Sequence, residues 1–224
     1  AAAPLKADRT VVVVGNGADR VTATVEGFDL GPVDFAVQAD QRGTGDALAA
    51  AVGLLDGDGD VLVLSGDTPL VSTALLEGLL DAHRSARATA TLLTCTLEDP
   101  TGYGRILRDA GGAVTGMVEE RDATPAQRRL PEVGAGMYVF RRPALDGLAE
   151  LRPDNGQGEY YLPDLVPLVL AGGGRVATLE GPAAQARGVN DRVELAEAEA
   201  VLRRRLLERL MLAGVTVVDP ATTY

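Results

Sequence analysis

Asp67 is the carboxylate whose surroundings point most directly to chemistry. It follows four consecutive apolar residues in VLVLSGDTPL at 61–70, and the lack of alternation predicts a strand buried on both faces, as in a parallel sheet. Gly66-Asp67 breaks that run at the carboxyl end, where open α/β sheets bind ligands. A carboxylate held there by a glycine turn, ahead of Thr68-Pro69, could anchor a divalent metal that carries substrate phosphates. An ordinary turn or helix cap uses the same dipeptide, and both readings stand at this point.

Two other polar stretches carry candidate chemistry. The run from Gln38 to Asp46 is glycine-rich and lies between an expected strand at 34–38 and a helix-forming segment at 47–55. Backbone N–H groups there can receive a carbonyl or a phosphate, and the Gln38 amide can read a base edge with a donor and an acceptor together. A plain strand-to-helix loop capped by Thr44 explains the same residues. At 190–194, Asp191 and Glu194 have capping-box spacing. If Asp191 is the cap, Asn190 is free for another task; if Asn190 is the cap, it has none, and the sequence favours the second option. Gly15-x-Gly17 lacks the third glycine of a dinucleotide-binding loop.

Composition excludes several alternatives. The chain has 224 residues, 46% of them hydrophobic, enough for a full core in one large domain. A formal charge of −11 argues against sequence-independent nucleic-acid binding, which needs clustered Lys and Arg. The single cysteine, Cys95, rules out an internal disulfide and a multi-cysteine zinc site, and its apolar setting predicts an inert buried thiol. The single histidine, His83, is expected on a helix and has no Gly-x-Ser-x-Gly elbow to serve. No stretch approaches the ~20 apolar residues of a membrane-spanning helix, and AAAPLKADR lacks an apolar signal core, so the expected location is the cytoplasm, with no membrane partner.

The elements that must position these residues alternate in type. Strands are expected at 10–14, 34–38, 61–64, 88–96, 114–118, 134–140 and 176–179, with helices at 47–55, 73–85, 165–171 and 190–212. This alternation predicts a doubly wound α/β sheet. The last helix is expected to pack through Leu195, Ala198, Leu202, Leu206 and Leu210, and 214–220 reads as a closing strand and turn.

Taken in order, QADQRGTGDA at 38–47, LSGDTPL at 64–70, DPTGYGRI at 99–106, VEERDATPAQ at 118–127, QGEYYLPDLV at 157–166, GVNDRVELAEAEAVLRRR at 188–205 and GVTVVDPATTY at 214–224 resemble one family. It is the uridylyltransferase domain of the bacterial bifunctional N-acetylglucosamine-1-phosphate uridylyltransferase/glucosamine-1-phosphate N-acetyltransferases. The resemblance runs from about Val11 to Tyr224 and implies a GT-A-like, Rossmann-like nucleotidyltransferase fold with a mixed sheet. It implies a Mg²⁺-dependent reaction of UTP with N-acetylglucosamine 1-phosphate, giving UDP-N-acetylglucosamine and pyrophosphate for cell-envelope synthesis. By the same resemblance, Gln38, Gly43 and Thr44 would hold the uracil, Asp67 and Asn190 would bind the magnesium with Asp67 as the catalytic carboxylate, and Gly104 and Glu119 would contact the amino sugar.

The departures from the family pattern carry expectations of their own. The family opens with a first strand and a loop of the form Leu-Ala-Ala-Gly-x-Gly-Thr-Arg-Met that cradles the triphosphate, and this chain shows neither, which predicts weak or absent activity for the chain alone. Gly134 stands where the family has an Asn that bonds the sugar, an expected loss of about 0.5–1.5 kcal/mol if unreplaced. A related nucleotidyltransferase of other specificity, or a non-catalytic relic that binds the nucleotide-sugar, are the alternatives that follow. Arg121 replaces a common Lys. Residues 1–212 read as the nucleotidyltransferase domain and 213–224 as the lead into a left-handed β-helix, the part expected to bring acetyl transfer and trimer formation.

Overall fold

The computed structural model describes residues 1–28 and 30–224. Its strands are β1 (Thr10–Val14), β2 (Val33–Val37), β3 (Asp60–Val63), β4 (Ala90–Thr96), β5 (Arg105–Arg108), β6 (Val114–Val118), β7 (Glu132–Arg141) and β8 (Val176–Glu180). The helices are α1 (Ala18–Glu26), α2 (Thr44–Val52), α3 (Thr73–Ala86), α4 (Leu165–Ala171), α5 (Ala183–Ala186) and α6 (Arg192–Leu212), with a 3₁₀ segment at Arg142–Glu150.

β7 organises the larger sheet. It pairs antiparallel with β4 at both ends, with a register shift between Leu92 and Thr94, and β4 pairs parallel with β8 on its far side. The other edge of β7 is shared: β5 meets it near its start, at Arg105↔Val133, and β3 runs antiparallel to its end, from Val63↔Tyr138 to Asp60↔Arg141. β6 hangs on β5 as a hairpin partner. Residues 134–137 of β7 therefore lie between the two strands that share this edge. The remaining pair, β1 and β2, is parallel and forms its own two-stranded sheet among the described residues.

Alternation along β4 and β7 divides the core in two. Leu92, Tyr138 and Phe140 face one layer with α2, α4 and the 3₁₀ segment; Leu93, Cys95, Met137 and Val139 face the other with α3 and α5. Tyr138 and Phe140 stack at 5.7 Å between ring centroids. Helices cover both faces as expected, but the larger sheet is mixed and mostly antiparallel, with β4–β8 its parallel pair among the described residues, because β7 runs against β3, β4 and β5. Cys95 is buried and its pKa is raised by that burial, as an inert thiol requires. His83 is also buried, 2.8 Å from the Thr91 hydroxyl and 3.5 Å from Asp60, and desolvation lowers its pKa, so it is a structural residue of α3.

Three expectations fail for identifiable reasons. β3 is antiparallel to β7 and only half-buried along its length, because among the described residues it has a strand neighbour on one edge only. On α6, Ala198 and Leu207 are the buried residues, while Leu195, Leu202, Leu206 and Leu210 are exposed. Helical spacing says which residues share a face, but it does not say which face meets the body. The 214–220 segment forms bends and turns without strand pairing, and Tyr224 folds back so that Arg203 lies 4.3 Å from its ring centroid. No helix among the described residues is long and apolar enough to cross a membrane.

Candidate active site

The Asp67 turn is pinned from below and from the side. Ser65 donates its hydroxyl proton to the Gly136 carbonyl of β7 at 2.9 Å, and Thr68 donates to the Ser65 carbonyl at 3.0 Å. Val189 N–H donates to the Asp67 carbonyl at 2.9 Å, which ties the segment before α6 to the turn. Arg205 of α6 reaches the Leu70 carbonyl at 2.7 Å. The result brings Asp67 and Asn190 to one place: a point one carbon out from Gly188 lies 3.3 Å from the Asp67 carboxylate and 3.9 Å from the Asn190 amide. Both side chains are exposed.

Asn190 is available because Asp191 takes the helix cap. The Asp191 carboxylate accepts from Val193 and Glu194 N–H, each at 2.8 Å, and Glu194 in turn accepts from the Asn190 N–H at 2.6 Å. This reverses the simpler expectation that Asn190 is itself the cap. A carboxylate oxygen offers two acceptor directions to the exposed N–H groups of the first turn, and Asp at the position before Arg192 supplies them. One carboxylate beside one amide is a hard-oxygen donor set, the type that suits Mg²⁺ completed by water and phosphate oxygens. Among the described residues no cluster of three or more His, Cys, Asp or Glu side chains forms a metal cage, so protein donors alone do not complete a site.

The segment from Gln38 to Asp46 is clamped on its other side by 159–162. Tyr160 N–H donates to the Arg42 carbonyl at 2.7 Å, Gly45 N–H to the Tyr160 carbonyl at 2.8 Å, and Leu162 N–H to the Thr44 hydroxyl at 3.0 Å. Gly43, not Thr44, occupies the cap position of α2, with φ +109°, and a Cβ there would stand 2.6 Å from the Tyr160 carbonyl oxygen. The Gln38 amide donates to the Gly43 carbonyl at 3.1 Å and to Asp46 at 2.9 Å, which leaves its own carbonyl oxygen as the acceptor it can present. Gly15 packs close to the Gln41 amide, so the turn after β1 borders this loop.

The third group gathers where β5, β6 and β7 meet. Gly134 N–H donates to the Gly104 carbonyl at 3.0 Å. Both Glu119 carboxylate oxygens lie 3.1–3.2 Å from where a Cβ of Gly104 would stand. Burial, then the Asp164 and Asp122 charges, hold the Glu119 pKa above the usual glutamate range. Arg105, fully buried, braces the neighbourhood by donating to Glu120 at 2.7 Å and to the Arg128 carbonyl at 3.1 Å. It is a supporting residue that sequence reasoning missed, since a lone Arg between two apolar residues carries no signal of burial. Burial pushes up the pKa of Tyr103, in the turn before Gly104. The expected residues fall into three groups: Gln38, Gly43 and Thr44; Asp67 and Asn190; Gly104 and Glu119.

Comparison with known proteins shows the family and the type of fold. The nucleotidyl transferase family profile matches residues 10–182. The chain is 49% identical over 228 residues to the bifunctional protein GlmU of Pelotomaculum thermopropionicum, covering all of this chain and 48% of that protein. It is also 49% identical over 231 residues to GlmU of Mycolicibacterium vanbaalenii, covering all of this chain and 47% of that one. Among solved structures, a Bacillus anthracis protein described as a glucose-1-phosphate thymidylyltransferase, crystallised with sucrose, superposes with a TM-score of 0.67 at 16% identity, over 94% of this chain and 78% of that one. That likeness establishes the nucleotidyltransferase type of mixed α/β fold. The chain spans about half the length of the curated relatives it matches, and it belongs to the nucleotidyl transferase family, as a relative of the bifunctional GlmU proteins.

Proposed function

We propose that this chain carries the uridylyl-transfer site of a GlmU-type protein, moving UMP from UTP to N-acetylglucosamine 1-phosphate with release of pyrophosphate. The observation that carries the reading is the meeting of Asp67 and Asn190 beside Gly188 in a chain of this family. In the reaction, an oxygen of the sugar phosphate attacks the α-phosphorus of UTP. A new P–O bond forms, the bond from the α-phosphorus to the bridging oxygen breaks, and pyrophosphate leaves with that electron pair.

Such a transfer needs positioning and charge neutralisation more than covalent help. Gln38 presents its carbonyl, and the backbone of Gly43 and Thr44 its edges, to the uracil. Glu119 and the Gly104 backbone orient the amino sugar, with Glu119 as a carboxylate accepting from the sugar's N–H or hydroxyl groups. Asp67 and Asn190 would hold Mg²⁺, which supplies charge neutralisation on the phosphates when bound. Trimer formation and acetyl transfer are assigned to the remainder of a GlmU-type protein, outside 1–212.

Pyrophosphate release by the full-length protein with UTP, N-acetylglucosamine 1-phosphate and Mg²⁺ tests this reading. Release that Asp67→Ala abolishes supports it. A protein that turns over with another nucleotide or another sugar 1-phosphate but not with this pair would refute the substrate assignment, and Gly134 is the residue that makes a different sugar worth including.

A further inference from the structure

Gly134 does not leave a hole. A Cβ at 134 would stand 2.6 Å from the Met117 methyl carbon and 2.8 Å from its sulfur, and a Cβ at Gly104 would run into the same methyl group. Met117, on β6 and paired with Ile106 of β5, is buried with its thioether laid across two adjacent glycine backbones beside the Glu119 carboxylate. The space that a side chain at 134 would need is filled from the neighbouring strand, and what fills it is apolar.

We propose that Met117 is a specificity-determining residue of the sugar subsite, its thioether forming an apolar floor where a polar side chain at 134 would otherwise read the substrate. The inference rests on the sugar-1-phosphate reading given above and extends it to the chemistry of the substituent. An unbranched thioether is deformable and polarisable, so it packs against a small acyl methyl group and gives way where a branched side chain would not. To a hydroxyl it offers only a weak acceptor and no donor. The subsite therefore favours a sugar 1-phosphate that carries a small N-acyl group over one with a free hydroxyl, with Glu119 accepting from the polar hydrogen beside it. Positions 117 and 134 are a coupled pair: an Asn at 134 fits only if 117 is shortened.

The test compares N-acetylglucosamine 1-phosphate with glucose 1-phosphate in the full-length protein, for the wild type, Met117→Ala, Met117→Leu, Gly134→Asn and Met117→Ala/Gly134→Asn. Gly134→Asn alone is expected to raise the KM for the acylated sugar roughly tenfold while the KM for UTP holds, and the double variant is expected to recover most of that loss. Met117→Ala is expected to lower the preference for the acylated sugar by roughly tenfold, the scale of one apolar contact in a pocket. Met117→Leu keeps the core filled, so its melting temperature separates a folding defect from a change of specificity, and a smaller shift in preference is expected. Additive effects at 117 and 134, or an unchanged sugar preference in folded Met117→Ala and Met117→Leu proteins, would overturn the proposal while leaving the uridylyl-transfer reading in place. A wild type that releases pyrophosphate with neither sugar overturns the reading beneath it and the proposal with it.

Discussion

Asp67 and Asn190 stand exposed on two loops that backbone hydrogen bonds hold together, whereas Gly104, Glu119 and Gly134 lie at strand ends packed over Met117. The first region positions oxygen donors without burying them. Its side chains carry almost none of the fold, because the Val189–Asp67 and Ser65–Gly136 bonds use the backbone or a neighbouring hydroxyl. The second region is core and site at once, so each atom there has both a packing role and a recognition role. A change in the first should act on chemistry with the fold intact; a change in the second should move stability and specificity together.

Asp67→Ala is the sharpest way to test this division. Pyrophosphate release by the full-length protein is expected to fall roughly a thousandfold, the order found when one charge-stabilising group is lost from a preorganised site. Unfolding free energy should stay within about 0.5 kcal/mol, as for other exposed substitutions. A large loss of stability in that variant would erase the distinction between the two regions.

Gly43→Ala has the next largest effect, on stability. The residue sits at φ +109°, and an added Cβ meets the Tyr160 carbonyl oxygen at 2.6 Å and Glu159 Cβ at 3.0 Å. Strain of this kind costs about 1–3 kcal/mol, and the clash adds to it, so denaturant unfolding should show a loss at the top of that range. An unchanged midpoint would mean that the 38–46 loop is not clamped by 159–162.

How far the sequence anticipates this arrangement differs between the two regions for the same physical reason. Gly66-Asp67 was readable because a glycine-acid pair at the end of an apolar run is a local signal, and local signals survive in one dimension. The Gln38 loop was readable on the same ground. Met117 was not, since a Met in a strand reads as core, and only the register of β5 and β6 beside β7 shows which glycines it covers. Arg105 was hidden likewise, its partners lying at Glu120 and at the Arg128 carbonyl. β3 read as doubly buried because its composition is apolar, but its burial depends on having neighbours on both edges. The exposed leucines of α6 repeat that lesson for a helix.

Glu119→Gln probes the buried region through pH. Because burial raises the Glu119 pKa, the folded chain holds that proton more tightly than the unfolded chain, whose glutamates titrate near about 4.3. The stability this contributes is fully present below the unfolded value and is lost as pH rises through the folded one. Glu119→Gln should therefore flatten the stability profile in that window and leave the protein more stable at neutral pH. The same substitution removes the charged acceptor, so the KM for the sugar 1-phosphate should rise about tenfold at neutral pH, as expected for a hydrogen bond to a charged group. In the wild type, that KM should climb as pH falls through the Glu119 pKa, and in the variant it should not. A variant that loses stability at neutral pH would show that Glu119 is held by a partner rather than merely buried.

The smallest effect is expected at Asp191, and it bears on whether the exposed region is as independent of the fold as its geometry suggests. The Asp191 carboxylate takes two N–H groups of the first turn of α6, and their loss on Asp191→Ala costs about 1 kcal/mol, softened because water can replace the acceptor. Asn190 precedes this cap, and its own N–H is held by Glu194, so fraying of the turn loosens the amide that stands beside Asp67. A few-fold rise in the Mg²⁺ concentration needed for half-maximal pyrophosphate release should accompany the stability loss. Asp191→Asn keeps a capping oxygen and should restore both quantities. Restoration of stability without restoration of the Mg²⁺ dependence would mean that Asp191 acts on the ion through its charge, and that the exposed region contains a third carboxylate and not only a cap.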